Sequence, residues 1–173
     1  MSHPVKKVVR YEHRGALSYG ILEGDLVARV DGNIFEGGRA SREKIALDAV
    51  RLLWPCEPSK ILAVGLNYKS HLGGRPAPAK PELFWKPTSC LLEPGGAITL
   101  PEGAADVHYE GELVVVIGRK TKAVSPQEAD GCIFGYTCGI DVSERNWQKN
   151  DLQWWRAKGS DTFGPLGPAI AVG

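Results

Sequence analysis

The sequence has almost no net charge and no long apolar run. Its 21 Lys and Arg residues against 20 Asp and Glu residues give a formal net charge of +1. Binding to nucleic acid or to an anionic membrane needs a basic surplus, so we expect neither partner. The longest stretch without a charged residue, Thr162–Gly173, has 12 residues, whereas a membrane-spanning helix needs about 20. Because the N-terminus also has no apolar signal segment, we expect a cytoplasmic protein.

Methionine and cysteine are scarce as well. A single Met and few runs of helix-forming residues argue against a helical bundle, while 21 Gly and 12 Pro indicate many turns. The cysteines form no Cys-x-x-Cys pair and no zinc-type spacing with the four histidines. We therefore expect an α+β fold that is mostly β, with buried, reduced thiols at Cys56, Cys90, Cys132 and Cys138.

The length and composition allow one globular unit with a small appendage. A chain of 173 residues with 43% hydrophobic and 24% charged residues can bury a core but is too short for two full enzymatic domains. Residues 1–57 are expected to form a small β-rich N-terminal domain. Strand-like residues over Val5–Arg10 and a hairpin of Ser18–Glu23 with Leu26–Val30, closed by Gly24 and Asp25, support this expectation.

The segment after this hairpin has a helical pattern. Apolar residues between Glu43 and Trp54 fall on one helical face, and Ser41 precedes them as a candidate N-cap. We expect this helix to end at Pro55 and a linker to follow over Pro55–Ser59.

Residues 58–173 have the pattern of a second, β-dominated domain. Ile61–Gly65 reads as a buried strand, and the Gly- and Pro-rich segment Gly73–Pro81 reads as a loop that could act as a mobile lid. Further strands are predicted up to Ile117 and over Cys132–Ile140. Between them, Ser125 to Glu128 has the form of a capping box, which predicts the start of a short helix.

Two glutamates stand two residues apart on one predicted strand. Glu110 and Glu112 would point to the same face, about 6 to 7 Å apart along the backbone. At an effective dielectric constant near 20 such charges repel by roughly 3 kcal/mol, so they need a cation or open water. Asp141 follows a second apolar strand. The three carboxylates would form an oxygen-only site for Mg²⁺, Mn²⁺ or Ca²⁺; alternatively, the glutamates form a solvated face and Asp141 caps a helix.

One histidine and two lysines each allow two interpretations. His71 follows a strand end, beside Asn67 and Tyr68, where a general base could sit, although a lone loop histidine is often structural. Lys86 and Lys158 are flanked by aromatic residues. Such lysines either act in a site or rest their aliphatic stems on the rings.

Taken together, five motifs resemble the fumarylacetoacetate hydrolase family over Pro58–Gly173. They are Val64–Tyr68 with His71, Phe84–Pro87, Tyr109–Leu113, Gly135–Thr137 with Asp141–Ser143, and Lys158–Pro165. The resemblance implies a catalytic β-roll over residues 58–173. It also implies that Glu110, Glu112 and Asp141 are metal ligands, that His71 is the lid base, that Lys158 lies beside metal and substrate, and that Arg145 and Gln148 face the substrate.

The family resemblance implies an enzyme that uses Mg²⁺ or Mn²⁺ to hydrolyse, decarboxylate or tautomerise 2-oxo or 1,3-dioxo acids as a homodimer. Two departures qualify this expectation. Position 74 is Gly where the family commonly has a Glu that orients the lid histidine, which favours tautomerisation. The chain also stops before strands that close the family's β-roll, so we expect an incomplete β-roll in a truncated chain. The alternative is a non-catalytic metal- or ligand-binding module.

Overall fold

A computed structural model describes residues 5–173, and most of its elements are strands. The first four residues of the predicted N-terminal domain lie outside the described range. The strands are β1 Lys6–His13, β2 Ala16–Glu23, β3 Leu26–Asp31, β4 Arg39–Ala46, β5 Arg51–Leu53, β6 Ile61–Gly65, β7 Glu82–Lys86, β8 Leu91–Leu92, β9 Val107–His108, β10 Gly111–Ile117, β11 Ile133–Ile140, β12 Ser143–Glu144, β13 Gly164–Pro165 and β14 Ile170–Val172.

One antiparallel sheet of eight strands organises the chain. Its order is β10-β11-β14-β1-β2-β3-β4, and β5 pairs with β1. The sheet therefore includes strands from both predicted segments, joined where β14 pairs with β1 and β11. The division of the chain at residues 57 and 58 stays a prediction.

The N-terminal hairpin is confirmed, but the helix predicted over Glu43–Trp54 is wrong. This stretch forms β4, a 3₁₀ turn over Leu47–Ala49, and β5. Strand β4 pairs with β3, and Ile45 packs beside the buried Val27. Pairing with two neighbouring strands outweighs the weak helical propensity of the segment, because tertiary contacts decide when local preference is small.

The core lies on both faces of β1. Val8 belongs to a buried cluster with Ile170 and Val116, and its neighbour Val9 belongs to a second cluster with Tyr11. Successive strand residues point to opposite faces, so β1 anchors both clusters. Three of the four cysteines are buried free thiols, as expected. Cys138 is exposed, contrary to expectation, because it follows the buried Thr137 on β11 and points to the open face.

Three two-stranded pairs lie outside the main sheet. β6 pairs antiparallel with β7, β9 pairs antiparallel with β12, and β8 pairs parallel with β13. Strand β6 is present as predicted but is not buried, since Leu62 and Val64 are 49% and 43% exposed. A hairpin of only two strands leaves one face uncovered, which explains the difference.

The helices are short. They are α1 Pro126–Ala129, α2 Arg145–Asn150 and α3 Trp155–Gly159, and 3₁₀ turns cover Ile34–Glu36, Leu47–Ala49, Lys69–Leu72, Thr88–Cys90 and Asp130–Cys132. The capping box at Ser125 and Glu128 is confirmed. Helix α2 is capped by Glu144, whose carboxylate accepts a hydrogen bond from the Trp147 backbone, and not by Asp141. Along residues 5–173, no helix is long and apolar enough to cross a membrane.

Candidate active site

An open cavity of about 320 Å³ lies between the β6–β7 hairpin and the adjoining ends of β10 and β11. A volume of this size suits a small organic acid. All seven residues that were expected to form the site line this one cavity: His71, Glu110, Glu112, Asp141, Arg145, Gln148 and Lys158. The structure thus brings the predicted residues together, and their individual roles stay predictions.

Strand pairing brings the three carboxylates to the same place. Strand β10 begins at Gly111, between the two glutamates, and pairs antiparallel with β11, so that Gly111 lies opposite Ile140. Asp141 follows Ile140 directly, and its backbone N–H donates to the carbonyl of Glu110 at 2.8 Å. The start of one strand therefore meets the end of the other, as the sequence pattern required.

The ammonium of Lys158 lies among these carboxylates. It donates to Glu110 Oε2 at 2.8 Å, to Asp141 Oδ2 at 2.7 Å and to the Ser143 hydroxyl at 2.6 Å. Lys158 is 3% exposed, so these partners, and not water, accept the hydrogen bonds of its ammonium. In the part of the chain that the structure describes, no group of three or more His, Cys, Asp or Glu side chains is arranged to hold a metal ion. The Lys158 ammonium provides positive charge among the carboxylates.

Glu110 has a second cationic partner. Arg145 donates to Glu110 Oε1 at 2.6 Å and to Gln148 Oε1 at 2.9 Å. Burial by itself would raise the pKa of Glu110, but the hydrogen bonds from Lys158 and Arg145 outweigh this effect and lower the pKa to about 2. Glu110 is therefore ionised at neutral pH.

The pKa of Glu112 is shifted in the opposite direction from that of Glu110. Burial and the charges of Asp141 and Glu110 raise its pKa, while a hydrogen bond from the Tyr68 hydroxyl at 3.2 Å acts in the other direction. Conversely, the charge of Glu112 raises the pKa of Tyr68. Because a tyrosine hydroxyl neutralises no charge, Glu112 carries the least compensated negative charge of the three carboxylates.

His71 lies in the 3₁₀ turn Lys69–Leu72, and this turn begins directly after Tyr68. Its ring centre is 6.1 Å from that of Tyr68. Within residues 5–173 the ring has no hydrogen-bonded carboxylate, in agreement with Gly at position 74. Gly74 has a φ of +83°, which a glutamate would rarely adopt, so the backbone here does not suit the residue that the family commonly has.

The sequence left open whether Lys86 belongs to the site, and it did not identify Trp154 as part of it. The Lys86 ammonium hydrogen-bonds Asp141 from behind the cavity, and Trp154 forms part of the cavity wall, with its ring centre 5.5 Å from that of Phe84. The two lysines beside aromatic residues are both ion-paired; Lys158 Nζ also lies 5.2 Å from the Phe84 ring centre. The alternation of side chains along β7 could have indicated that Lys86 lies near the site, because it places Lys86 on the same face as Phe84.

The sequence profile described as "Fumarylacetoacetate (FAA) hydrolase C-terminal" matches residues 60–172, which is well over half of the chain. The chain belongs to the fumarylacetoacetate hydrolase family. A second profile, "Rv2993c-like, N-terminal", matches residues 6–55. The resemblance inferred from the five motifs is thereby confirmed.

Two curated relatives illustrate the similarity. The chain is 43% identical over 168 residues to protein Rv2993c of Mycobacterium tuberculosis, a match that covers 87% of this chain and 63% of the relative. It is 41% identical over 128 residues to the mitochondrial oxaloacetate tautomerase fahd2 of Xenopus laevis, covering 71% of this chain and 40% of the relative. The chain thus spans less than two thirds of the length of the curated relatives that it matches.

Solved structures of the family share this fold. A 5-carboxymethyl-2-hydroxymuconate delta-isomerase from Mycobacterium smegmatis superposes with a TM-score of 0.87 at 40% identity, covering 96% of this chain and 66% of that one. A maleylpyruvate hydrolase from Sphingobium sp. SYK-6, in complex with manganese(II) and pyruvate, gives a TM-score of 0.70 at 25% identity, covering 96% and 67%. The mostly-β fold class expected from the sequence is confirmed.

Proposed function

We propose that this chain forms the catalytic site of an enzyme that acts on small 2-oxo or 1,3-dioxo acids with a divalent cation, and that keto–enol tautomerisation is its reaction. The observation that carries this proposal is the convergence of three carboxylates, a buried lysine and an arginine on one cavity of about 320 Å³. Carboxylates that share a cavity at neutral pH repel one another, so such a set needs cationic partners.

The donor set suits a hard divalent cation. Glu110, Glu112 and Asp141 offer only oxygen atoms, which are the ligands that Mg²⁺ and Mn²⁺ prefer; Ca²⁺ is a further candidate. Burial, and then the charges of Asp141 and Glu110, raise the pKa of Glu112, and a divalent cation bound in the cavity would favour its ionised form. The manganese complex of the maleylpyruvate hydrolase supports this assignment by analogy. When bound, such an ion would supply Lewis-acid stabilisation of negative charge on the oxo acid.

The protein's own cations bind and orient the acid. Lys158 and Arg145 both line the cavity, and each has a carboxylate partner within 2.8 Å in the structure. We assign Arg145 and Gln148 to the substrate's carboxylate, since a guanidinium has five N–H donors and can donate to the substrate while it stays hydrogen-bonded to Glu110. Lys158 stabilises the negative charge that develops on the oxo oxygen when a proton leaves the neighbouring carbon.

His71 is the candidate group for moving that proton. It lines the same cavity and lies two residues before Gly73, which with Gly74 has a left-handed backbone conformation. A histidine without a hydrogen-bonded carboxylate has no fixed tautomer and is a weaker base, so a reaction that also requires activation of water is less well supported. For this reason we favour tautomerisation over carbon–carbon hydrolysis. The similarity to an oxaloacetate tautomerase and to a delta-isomerase supports the same choice.

A non-catalytic module that binds a metal or an oxo acid is the second candidate. It is supported by the unpartnered ring of His71 among the described residues and by Gly74. Such a module would bind Mn²⁺ and oxo acid without turnover. The homodimer and the cytoplasmic location expected from the sequence remain proposals, which light scattering and cell fractionation can test.

The decisive experiment measures enol–keto interconversion of oxaloacetate by the absorbance of the enol, with metal-free protein and after addition of Mg²⁺ or Mn²⁺. We expect rate enhancement only with the ion. Glu112→Ala should abolish both activity and Mn²⁺ binding by calorimetry, whereas Glu102→Ala, at an exposed loop position, should change neither. Binding without turnover would favour the non-catalytic module, and unchanged binding in Glu112→Ala would refute the carboxylate site.

A further inference from the structure

Lys86 is a buried lysine that lies behind the cavity rather than in it. It is the last residue of β7 and is 5% exposed. Burial of an unpaired ammonium is very costly, so a lysine in such a position must have a full set of acceptors. Its neighbour on the same face of the strand, Phe84, lines the cavity.

The three N–H groups of Lys86 have three acceptors. Its Nζ donates to Asp141 Oδ1 at 2.7 Å, to the Phe163 carbonyl at 3.1 Å and to the Lys158 carbonyl. An ammonium has three donors and no acceptor, so its hydrogen-bonding capacity is fully used. Lys86 therefore fixes a side chain and two backbone positions at once.

These contacts determine which oxygen of Asp141 is available. Oδ1 is bound to Lys86, whereas Oδ2 is bound to Lys158, whose ammonium lines the cavity. Lys86 also holds the backbone of Lys158 itself. The two groups that face each other in the cavity are thus oriented by a single side chain outside it.

We infer that Lys86 is a positioning residue that holds Asp141 with Oδ2 toward the cavity and keeps Lys158 opposite it. The inference rests on the proposed function, because it concerns the carboxylate assigned to the divalent cation. Lys86 contacts neither the substrate nor the ion in this assignment, but the affinity for the ion depends on it. Partners that orient a ligand side chain typically affect metal affinity by about 10- to 100-fold.

A charge effect of Lys86 would have the opposite sign. If the ammonium acted only as a positive charge near the carboxylates, its removal would make the cavity more negative and strengthen cation binding. If it positions Asp141, removal weakens binding in spite of the added negative charge. The sign of the change in affinity therefore distinguishes the two effects.

The test compares Lys86→Met, Lys86→Arg and the control Lys60→Met in the full chain. Lys60 is an exposed lysine that lies 6.0 Å from the Trp85 ring centre, next to the strand that pairs with β7. Mn²⁺ affinity is measured by electron paramagnetic resonance under conditions where circular dichroism gives a folded protein. We expect Lys86→Met and Lys86→Arg to bind Mn²⁺ about 10- to 100-fold more weakly, and Lys60→Met to bind it as the unaltered protein does. The guanidinium keeps the charge but cannot match three acceptors around one nitrogen.

Equal or tighter binding in folded Lys86→Met would overturn the inference while leaving the proposed function intact. Absence of Mn²⁺ binding by the unaltered protein would overturn both. If neither variant folds, the crystal structure of the unaltered protein with Mn²⁺ decides. Asp141 Oδ1 on Lys86 with Oδ2 on the ion would support positioning, and an Asp141 released from Lys86 would refute it.

Discussion

Glu110 and Glu112 differ in their effect on stability although they lie two residues apart in one cavity. Glu110 is paired with Lys158 and Arg145, whereas Glu112 accepts only the Tyr68 hydroxyl among the described residues. We predict that, in metal-free protein at neutral pH, Glu110→Gln destabilises the fold and Glu112→Gln stabilises it. Glutamine keeps the shape of each side chain and removes only its charge.

The magnitude for Glu110 follows from its pKa, which is lowered from an ordinary 4.5 to about 2. One pKa unit corresponds to 1.36 kcal/mol, so the difference sets an upper limit of roughly 3 kcal/mol. The cavity is open to water, and screening reduces the expected loss to about 2 kcal/mol. Because the folded-state pKa is depressed, this stability is present above pH 4.5 and is lost as the pH falls toward 2.

For Glu112 the sign is reversed. Its folded-state pKa is raised by burial and by neighbouring carboxylates, so the protonated form is favoured in the folded protein. The stability it contributes is present below its unfolded-state pKa and is lost as the pH rises through the folded-state value. At pH 7 the ionised group therefore opposes folding, and its neutral analogue should relieve that effect.

Urea unfolding in the presence of a chelator, followed by circular dichroism, measures these differences. Between pH 7 and pH 3 the gap between unaltered protein and Glu110→Gln should shrink, while exposed Glu102→Gln serves as the control. Comparison with the unaltered protein at each pH cancels the titration of the other carboxylates. A shift of the two cavity variants in the same direction at pH 7 would refute the electrostatic assignment.

Two further predictions concern catalysis and the lid. His71→Ala should lower kcat less than the 10²- to 10⁴-fold that a well-positioned base contributes, whereas Lys158→Met should lower kcat severely and tighten Mn²⁺ binding, because its ammonium competes for Glu110 and Asp141. A larger kcat loss in the histidine variant, in one tautomerisation assay, would contradict this order. Proteolytic cleavage within Gly73–Pro81 should slow when Mg²⁺ and oxalate, an enolate mimic, are added; equal rates would argue against a closing lid.

The sequence predicted the strands of the site better than those of the N-terminal region. Glu110, Glu112 and Asp141 could be assigned to one site because the glutamates stand at the start of the apolar strand β10 and Asp141 directly follows β11. The stretch Glu43–Trp54 has an apolar pattern that suits both a helix and two short strands. The local pattern does not choose between them. The strands are selected only by the pairing of β4 with β3 and of β5 with β1 in the folded sheet.

The ion pairs of the two lysines could not be predicted from their local sequence for a similar reason. Lys86 and Asp141 are 55 residues apart, and Lys158 and Glu110 are 48 residues apart. Flanking aromatic residues gave no information about these ion pairs, since the same local pattern also suits a solvated lysine. Only the assembled fold reveals that both ammonium groups are buried against the same carboxylate.

In Glu110 and in Asp141, one carboxylate oxygen is bound to Arg145 or Lys86 and the other is bound to Lys158. Glu110 Oε1 is bound to Arg145 and Asp141 Oδ1 to Lys86, while the other oxygen of each is bound to the Lys158 ammonium. Glu110 and Asp141 would hold a divalent cation beside the Lys158 ammonium, which donates to one oxygen of each, so the ion and the ammonium would compete for these carboxylates. An ammonium displaced in this way would be free to bind the anionic oxo acid. Cation binding and the supply of positive charge to the substrate would then be linked, with Arg145 and Lys86 keeping both carboxylates in place throughout.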